Sequence, residues 1–321
     1  MKVIKVIDGK AALQEAEIPK IGPNDILIRI KATAANRADL MQKKGLYPPP
    51  PGASEILGLE CSGIVDAVGN KVTSRKVGDE VCALLAGGGY AEYVACPEFQ
   101  AIPKPTNLNW DEAASLPEVY ATCWLNLFIE GNLNTGNKVL FHAGASGIGT
   151  AGIQLCKAFN CKSFVTAGDK EKIKFCIDLG ASEGAVRGDK MFNEVRDWVP
   201  EGFDIILDPV GANYFEDNLK VLGLEGRLII IGLMGGMEAN INLGHLMMKR
   251  QRIIGSTIRA RSEELKKIVM NELHKKVWPF IESNQIKPVI HEVLDISETE
   301  KAHQIMEENQ NIGKIVLSSE D

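Results

Sequence analysis

Residues 138–157, KVLFHAGASGIGTAGIQLCK, decide the fold of this chain. An apolar run is followed by a glycine-rich turn and then by a helical pattern, which predicts a strand, a phosphate-binding turn and a helix. Glycines at a helix N-terminus let backbone N–H groups approach a pyrophosphate, and the helix dipole adds partial positive charge. We therefore expect five residues of this turn to bind a dinucleotide: Gly144, Ser146, Gly147, Ile148 and Gly149.

The glycines of this turn fit the dinucleotide pattern in two registers. The pattern can be phased as G-A-S-G-I-G from Gly144 or as G-I-G-T-A-G from Gly147. We prefer the first, because it places the glycines in the turn and not inside the helix. A glycine-rich string alone is a weak signal, since ordinary hairpins and caps use such turns as well. The flanking strand and helix are what favour a cofactor site.

Composition sets broad limits on partners and location. The 321 residues are 45% hydrophobic and 24% charged, which is typical of a globular protein with room for two domains. The net charge of −6 gives no electrostatic reason to expect nucleic acid or an anionic membrane. No apolar stretch approaches the roughly 20 residues of a membrane span, and no signal peptide is predicted. The seven cysteines form no CxxC pair, which favours reduced thiols and a cytoplasmic location.

The pattern of predicted secondary structure changes along the chain. Short β-type runs at 2–6, 26–32, 63–68, 80–85 and 90–96, separated by Gly, Pro and Asn, occupy the first 105 residues and predict a compact antiparallel barrel or sandwich. From about Asp111, helical patterns alternate with apolar strands, which predicts βαβ units and a doubly wound parallel sheet, hence an α/β fold. Strand character returns at 289–293 and 313–317. A cofactor domain inserted into a β-rich domain explains this order, with three segments: 1–117, 118–260 and 261–321.

Five further motifs accompany the GASGIG turn: NRAD (36–39), GLECSG (58–63), GGGYAEY (87–93), LPE (116–118) and NIGKIV (311–316). Together they resemble the medium-chain dehydrogenase/reductase superfamily from end to end. More narrowly, the chain resembles its zinc-free NADPH:quinone oxidoreductase branch, closest to the stress-induced animal quinone reductases. The resemblance implies a GroES-like β-rich catalytic domain, a Rossmann cofactor domain with a doubly wound parallel sheet, and a homodimer.

Aligned with zinc alcohol dehydrogenases of this superfamily, the chain lacks the metal ligands. Their catalytic ligands match Asn36, Leu59 and about Glu118 here, and Leu59 cannot bind a metal. One amide and one carboxylate make a poor zinc site. The lobe that holds four cysteines around a structural zinc should fall near 88–105, where only Cys96 is found. No metal is expected, and without a Lewis acid the hydride must go to an electron-poor acceptor such as a quinone or conjugated enone.

The same alignment bears on the cofactor through four residues: Ala167, Gly168, Lys172 and Arg187. Ala167 stands where NAD enzymes of this fold carry an acid that holds the ribose 2′-OH. Gly168 leaves room, Lys172 matches the family's phosphate-pairing lysine, and Arg187 falls where a Tyr often packs on the adenosine phosphate. We therefore expect NADPH. The alternative is that the strand ends two residues later, which would make Asp169 or Glu171 an NAD-type acid.

Other candidate residues follow from the resemblance. The loop after a predicted strand should bind the nicotinamide carboxamide through Gly232, Met234 and Gly235. Asn311 should reach the cofactor phosphates from the returning β-rich segment.

Two catalytic candidates lie on the substrate side. Tyr47, in a stiff proline-rich loop, should lie over a quinone ring while its OH reaches a quinone oxygen. Asn36 should orient the substrate by hydrogen bonding. Asp39 is expected to be structural, capping the loop or bracing it through Arg37.

The leading hypothesis is an NADPH-dependent quinone reductase that passes hydride to an ortho- or para-quinone held between Tyr47 and the cofactor. No general acid is needed, because a hydroquinone anion can take its proton from water, and proximity carries most of the catalysis. One-electron transfer stays open. The alternatives are an activated-alkene reductase, with Tyr47 as proton donor, and a non-enzymatic NADPH-binding sensor or structural protein. A homodimer is expected through the last Rossmann strand, where Ile253, Ile254 and Thr257 form an edge.

Overall fold

The computed structural model describes residues 1–319 and divides into two units. Within the described residues, the first unit consists of residues 1–121 and 258–319, and the second of residues 122–257. The sequence predicted the two boundaries between the units after residues 117 and 260. The second unit is therefore an insertion in the chain of the first.

The strands are β1 (Lys2–Ile7), β2 (Lys10–Glu15), β3 (Asp25–Ala34), β4 (Glu60–Val68), β5 (Glu80–Leu84), β6 (Tyr93–Pro97), β7 (Ala101–Pro103), β8 (Lys138–His142), β9 (Lys162–Ala167), β10 (Glu183–Val186), β11 (Phe203–Asp208), β12 (Leu222–Ile230), β13 (Arg252–Gly255), β14 (Ile290–Asp295) and β15 (Lys314–Ser318). The helices are α1 (Arg37–Lys43), α2 (Trp110–Ala114), α3 (Pro117–Cys123), α4 (Gly147–Ala158), α5 (Lys170–Leu179), α6 (Met191–Trp198), α7 (Ala212–Val221), α8 (Leu243–Met248), α9 (Glu263–Lys276), α10 (Trp278–Glu282) and α11 (Thr299–Glu307). Short 3₁₀ turns occupy Glu98–Gln100 and Ile296–Glu298, and Trp124–Glu130 is a π-helical segment.

The first unit is built around a seven-stranded sheet. Its order is β14-β15-β3-β4-β5-β7, and β6 pairs with β3. The central strand β3 is antiparallel to β4, β6 and β15, so its inward residues, Ile26, Ile28 and Ile30, lie in the core. The returning strand β15 thereby joins both chain segments of the unit in one sheet.

A separate hairpin of β1 and β2 completes the first unit. The sequence predicted β1 but missed β2, because KAALQE has weak β propensity. The signal was the Asp8-Gly9 turn between the strands. Both residues have positive φ, 50° and 75°, as a two-residue hairpin turn requires. The short strand β7 was missed as well.

The second unit is a six-stranded, all-parallel sheet with the order β10-β9-β8-β11-β12-β13. Successive strands are added on one side of β8 up to β10 and on its other side from β11 to β13, so the strand order switches between β8 and β11. Ligands of such folds bind at the carboxyl ends of the strands beside this switch point. Helix α4 lies close on β8, since a Cβ on Gly152 would be 2.3 Å from the ring of Phe141. Together, the two units confirm the predicted α/β fold of a GroES-like β-rich unit and a doubly wound Rossmann-type sheet.

Candidate functional site

The glycine-rich turn connects β8 to α4 through a tightly packed backbone. Gly144 lies against β9, because a Cβ there would be 2.5 Å from Cβ of Val165. A Cβ on Gly149 would be 2.3 Å from the carbonyl oxygen of Gly144. Both positions therefore need glycine for the turn to close. In the register from Gly144, two of the glycines, Gly147 and Gly149, lie in the first turn of the helix and not before it.

Ser146 is the N-cap of α4. Its Oγ accepts the N–H of Gly149 at 3.1 Å, so the hydroxyl hydrogen is still able to donate to a phosphate. The first N–H groups of a helix have no partner inside the helix and carry its positive dipole end. The turn combines these donors with a backbone free of side chains at Gly144 and Gly149. It fits the pyrophosphate of a dinucleotide.

The residue at which β9 ends determines which side chain stands at the position of the NAD-type acid, and so bears on the choice of cofactor. The strand ends at Ala167, as the alignment requires, and Asp169 is the N-cap of α5, where its Oδ1 accepts the N–H of Lys172 at 2.9 Å. The N–H of Arg187 donates to the carbonyl of Ala167 at 2.7 Å. A Cβ on Gly168 would lie 3.8 Å from Nη2 of Arg187, so the guanidinium is beside this exposed glycine. An arginine therefore lies beside the end of this strand, and the first acid after it, Asp169, is engaged as the helix cap.

Beneath the strand ends, a buried hydrogen-bond network starts at His142. Its Nε2 is 2.7 Å from Oδ1 of Asn218, and its Nδ1 is 2.9 Å from Oγ1 of Thr166. Nδ2 of Asn218 donates to Oδ2 of Asp208 at 3.1 Å. Burial lowers the pKa of His142 to about 4 and raises the pKa of Asp208 to about 6. The hydrogen bonds of His142 are thus satisfied within the fold, and the network ties the carboxyl ends of β8, β9 and β11 together.

The loop after β12 packs on the loop after β11. The N–H of Gly235 donates to the carbonyl of Val210 at 2.7 Å, and that of Met234 donates to the carbonyl of Pro209 at 3.3 Å. A Cβ on Gly232 would be 2.8 Å from the Pro209 oxygen. These three residues therefore lie at the carboxyl edge of the sheet, and their contact with a nicotinamide stays a prediction.

In the first unit, Asn36 belongs to a buried charged network. Its Nδ2 donates to the Ala34 carbonyl at 3.2 Å and to Oε1 of Glu60 at 2.9 Å, and its Oδ1 accepts from Nζ of Lys314 at 2.6 Å. Lys314 and Glu60 form an ion pair of 2.7 Å with side chains only 6% and 0% exposed. The other oxygen of Glu60 accepts the N–H of Glu118 at 2.8 Å. Both hydrogens of the Asn36 amide are used internally, which leaves a lone pair on Oδ1 for a ligand.

Glu60 and Lys314 were not predicted from the sequence as members of this network. Both lie inside quoted motifs, GLECSG and NIGKIV, and both are charged residues at the start of mostly apolar, buried strands. Charged side chains are rarely buried without a partner, so two of them in core strands were a usable signal.

The donor set around Asn36 fits zinc poorly. Leu59, which aligns with a zinc ligand, is a buried hydrophobic side chain. Cys96 is buried too, and burial raises the pKa of its thiol to about 12. Across residues 1–319, no group of three or more His, Cys, Asp or Glu side chains is arranged to hold a metal ion.

Asp39 is structural and caps α1 as expected, since its Oδ2 accepts the N–H of Asn36 at 2.8 Å, but it does not brace the loop through Arg37. Its carboxylate accepts the N–H of Gly58 at 2.9 Å and the OH of Tyr90 at 3.2 Å. Arg37 donates instead to the carbonyl of Met306. Burial raises the pKa of Asp39 to about 6. The brace therefore joins α1 to the loop before β4 and to the glycine-rich loop after β5.

Tyr47 lies in the proline-rich loop after α1 and is partly exposed. The Cζ atom of Arg259 is 5.4 Å from the centre of its ring, a cation–π contact that sequence analysis missed. Asn311 also lies in the first unit, where its Nδ2 donates to the carbonyl of Gly313 at 2.8 Å. Their contacts with substrate and cofactor stay predictions.

Comparison with known proteins identifies the family. Residues 22–106 match the family described as alcohol dehydrogenase GroES-like domain, and residues 147–275 match zinc-binding dehydrogenase. The chain belongs to the medium-chain dehydrogenase/reductase superfamily. This confirms the resemblance drawn from the motifs and makes the protein an oxidoreductase.

Among relatives in this superfamily, the mouse quinone oxidoreductase is 29% identical over 329 residues, covering 99% of this chain and 97% of the relative. A solved NAD-dependent alcohol dehydrogenase is 29% identical with a TM-score of 0.86, covering 100% of both chains. A mycobacterial protein solved in complex with NADPH is 26% identical with a TM-score of 0.88, covering 99% of both chains. These neighbours differ in cofactor and activity, so the finer function must come from the residues of this chain. Within residues 1–319, no helix is long and apolar enough to cross a membrane.

Proposed function

We propose that this medium-chain dehydrogenase/reductase is an NADPH-dependent quinone reductase that passes hydride to ortho- or para-quinones without a metal. The observation that carries the proposal is the replacement of the metal-ligand positions. Leu59 is apolar, and Asn36 is hydrogen-bonded to Lys314 and Glu60. Without a Lewis acid to polarise an alcohol or carbonyl oxygen, the acceptor must be electron-poor already. The name of the mouse relative supports a quinone.

The residues at the end of β9 support NADPH over NADH. Bound NADPH would supply the hydride, and the turn at 144–149 would hold its pyrophosphate. Arg187 beside Gly168, with Lys172 in the first turn of α5, would pair with a 2′-phosphate, while Asp169 is already used as the helix cap. Measured kcat/KM with both cofactors tests this. We expect Arg187→Ser to lower kcat/KM for NADPH and to leave that for NADH unchanged; equal or better use of NADH by the native protein would overturn the assignment.

On the substrate side, Tyr47 would lie against the quinone ring, and the free lone pair on Oδ1 of Asn36 would accept a hydrogen bond from a hydroquinone hydroxyl. Burial lowers the pKa of both His142 and His303 to about 4, so neither is a proton donor at neutral pH. The hydroquinone anion would then be protonated by water, and orientation of the acceptor would carry most of the rate.

Replacing Tyr47 by Phe distinguishes quinone reduction from reduction of an activated alkene. An alkene needs a proton at its α carbon, so that reaction should lose much kcat, whereas quinone reduction should lose little. A panel of quinones and enones with NADPH provides the assay. NADPH binding without turnover of any acceptor would favour a sensor or structural role, and stoichiometric zinc in the purified protein would refute the metal-free mechanism.

We further propose a homodimer that pairs through β13. This strand is the edge of the six-stranded sheet, and Ile253 and Ile254 on it are partly exposed. Such an edge invites pairing with another strand. Light scattering at micromolar concentration should give a dimer mass, and a monomer would contradict the proposal.

The cysteines support a cytoplasmic location. All seven are free thiols, which a reducing compartment maintains. Cell fractionation would test this location, and recovery from an oxidising compartment would contradict it.

A further inference from the structure

Arg259 is a buried guanidinium that forms no direct ion pair among the described residues; burial lowers its pKa, and the more distant charge of Asp39 partly offsets this. Its side chain is 4% exposed, and across residues 1–319 it forms no ion pair with a carboxylate. It donates instead from Nε to the Ala86 carbonyl at 2.8 Å, from Nη2 to Oε1 of Gln42 at 2.7 Å and from Nη1 to the Tyr47 carbonyl at 3.4 Å. Burying a charge that has no direct ion pair is costly. An apolar side chain would avoid that cost, so an arginine at this buried position indicates a specific function of its guanidinium.

The contacts of Arg259 converge on the loop that carries Tyr47. The guanidinium lies over the Tyr47 ring, 5.4 Å from its centre, and also bonds the backbone carbonyl of the same residue. Gln42, which accepts from Arg259, donates through Nε2 to the carbonyl of Glu55 at 2.8 Å. Arg259 and Gln42 together therefore hold both ends of the segment 47–55. The Ala86 contact ties this segment to the glycine-rich loop after β5.

We propose that Arg259 is the positioning residue for Tyr47, and that it fixes the orientation of the phenol ring against which the acceptor binds. The inference rests on the proposed function for the role of Tyr47 and goes beyond it in assigning what orients the ring. Arginine suits the task because its planar fork stacks on an aromatic face while donating hydrogen bonds at its edge. Lysine keeps the charge but cannot do both.

Arg259→Lys tests the assignment with two independent measurements. The variant should lower kcat for a quinone about tenfold, because the ring is no longer held, and should leave KM for NADPH within about twofold. Chymotrypsin should cleave after Leu46 about tenfold faster than in the native protein. The matched control is Arg75→Lys, because Arg75 also donates to backbone carbonyls, those of Ala101 and Ser74. It should behave as the native protein in both measurements.

A double-mutant cycle separates positioning from general destabilisation. In a Tyr47→Ala background, Arg259→Lys should change kcat/KM for the quinone by less than about twofold, since the ring it acts through is gone. An equal loss in both backgrounds, or a native rate of cleavage in Arg259→Lys, overturns the proposal. If Arg259→Lys does not fold, Gln42→Leu removes the same bridge and should give the same faster cleavage; native cleavage would then count against the proposal.

Quinone turnover by the native protein tests the proposed function independently of the cleavage measurement, which tests the role of Arg259. If the native protein reduces no quinone, the proposed function is wrong, and the cleavage measurement still decides whether Arg259 holds the loop. Faster cleavage in Arg259→Lys but not in Arg75→Lys supports that part, and equal cleavage in both refutes it.

Discussion

Lys314→Met should destabilise the protein by about 3 kcal/mol, because it leaves the carboxylate of Glu60 buried without its cation. Lys314 donates to three oxygens, those of the Ala35 carbonyl, the Asn36 amide and Glu60. Breaking a buried ion pair from one side costs about 3–5 kcal/mol. The lower end applies here, since Glu60 keeps hydrogen bonds from Asn36 and from the N–H of Glu118.

The companion change, Glu60→Gln, identifies the cause of that loss. In Lys314→Met/Glu60→Gln, no charge is left buried and the amide oxygen can still accept from either Asn36 or the N–H of Glu118, so we expect a total cost of only about 1–2 kcal/mol. The two changes should therefore be coupled instead of additive. Equilibrium urea unfolding, followed by circular dichroism and tryptophan fluorescence, measures each free energy.

The matched control is an exposed pair of the same kind. Lys174 and Asp178 form an ion pair of 2.6 Å with side chains 77% and 63% exposed, and Lys174→Met should change stability by less than about 0.5 kcal/mol. A loss below about 1 kcal/mol in Lys314→Met, or a double variant as unstable as the sum of the single ones, would refute the reasoning.

Three other perturbations test the cofactor turn and the buried histidine. Gly149→Ala should destabilise the protein by about 1–3 kcal/mol in urea unfolding, because the new Cβ would lie 2.3 Å from the Gly144 oxygen. It should also weaken NADPH binding in a fluorescence titration. Gly255→Ala is the control, since its Cβ would have no atom within 4 Å, and it should be neutral in both assays. Ser146→Ala should lose about 1 kcal/mol of stability in urea unfolding through the missing cap, and an unchanged value would contradict the cap. Burial, followed by the charge of Lys43, lowers the pKa of His303 to about 4, so the unfolded chain takes up a proton near pH 6.5 before the folded one does. Stability is therefore lost as pH falls from 6.5 towards 4, and His303→Gln should remove about 3 kcal/mol of this loss in thermal melts across that range; identical pH profiles would contradict the shift.

The fold and the cofactor turn were predictable because their signals are local. The strand, turn and helix of 138–157 lie within one short segment, and the strand ending at Ala167 is followed at once by the cap residue Asp169. The hairpin at Asp8-Gly9 carried a local signal too, which the weak propensity of β2 obscured. The bond of Asn36 to Lys314, 278 positions away, had no local signal to reveal it.

By itself, the sequence determined the family, the order of the elements and the place of the dinucleotide turn, because glycine positions and apolar periodicity act over a few residues. Which charged side chains face one another depends instead on how the strands and loops come together in three dimensions. Lys314 meets Glu60 because β15 pairs with β3 and β3 with β4, and Arg259 lies over Tyr47 across 212 positions of chain. In both cases burial removes water from the charged group, so the neighbour that the fold supplies, and not solvent, sets what the group can do.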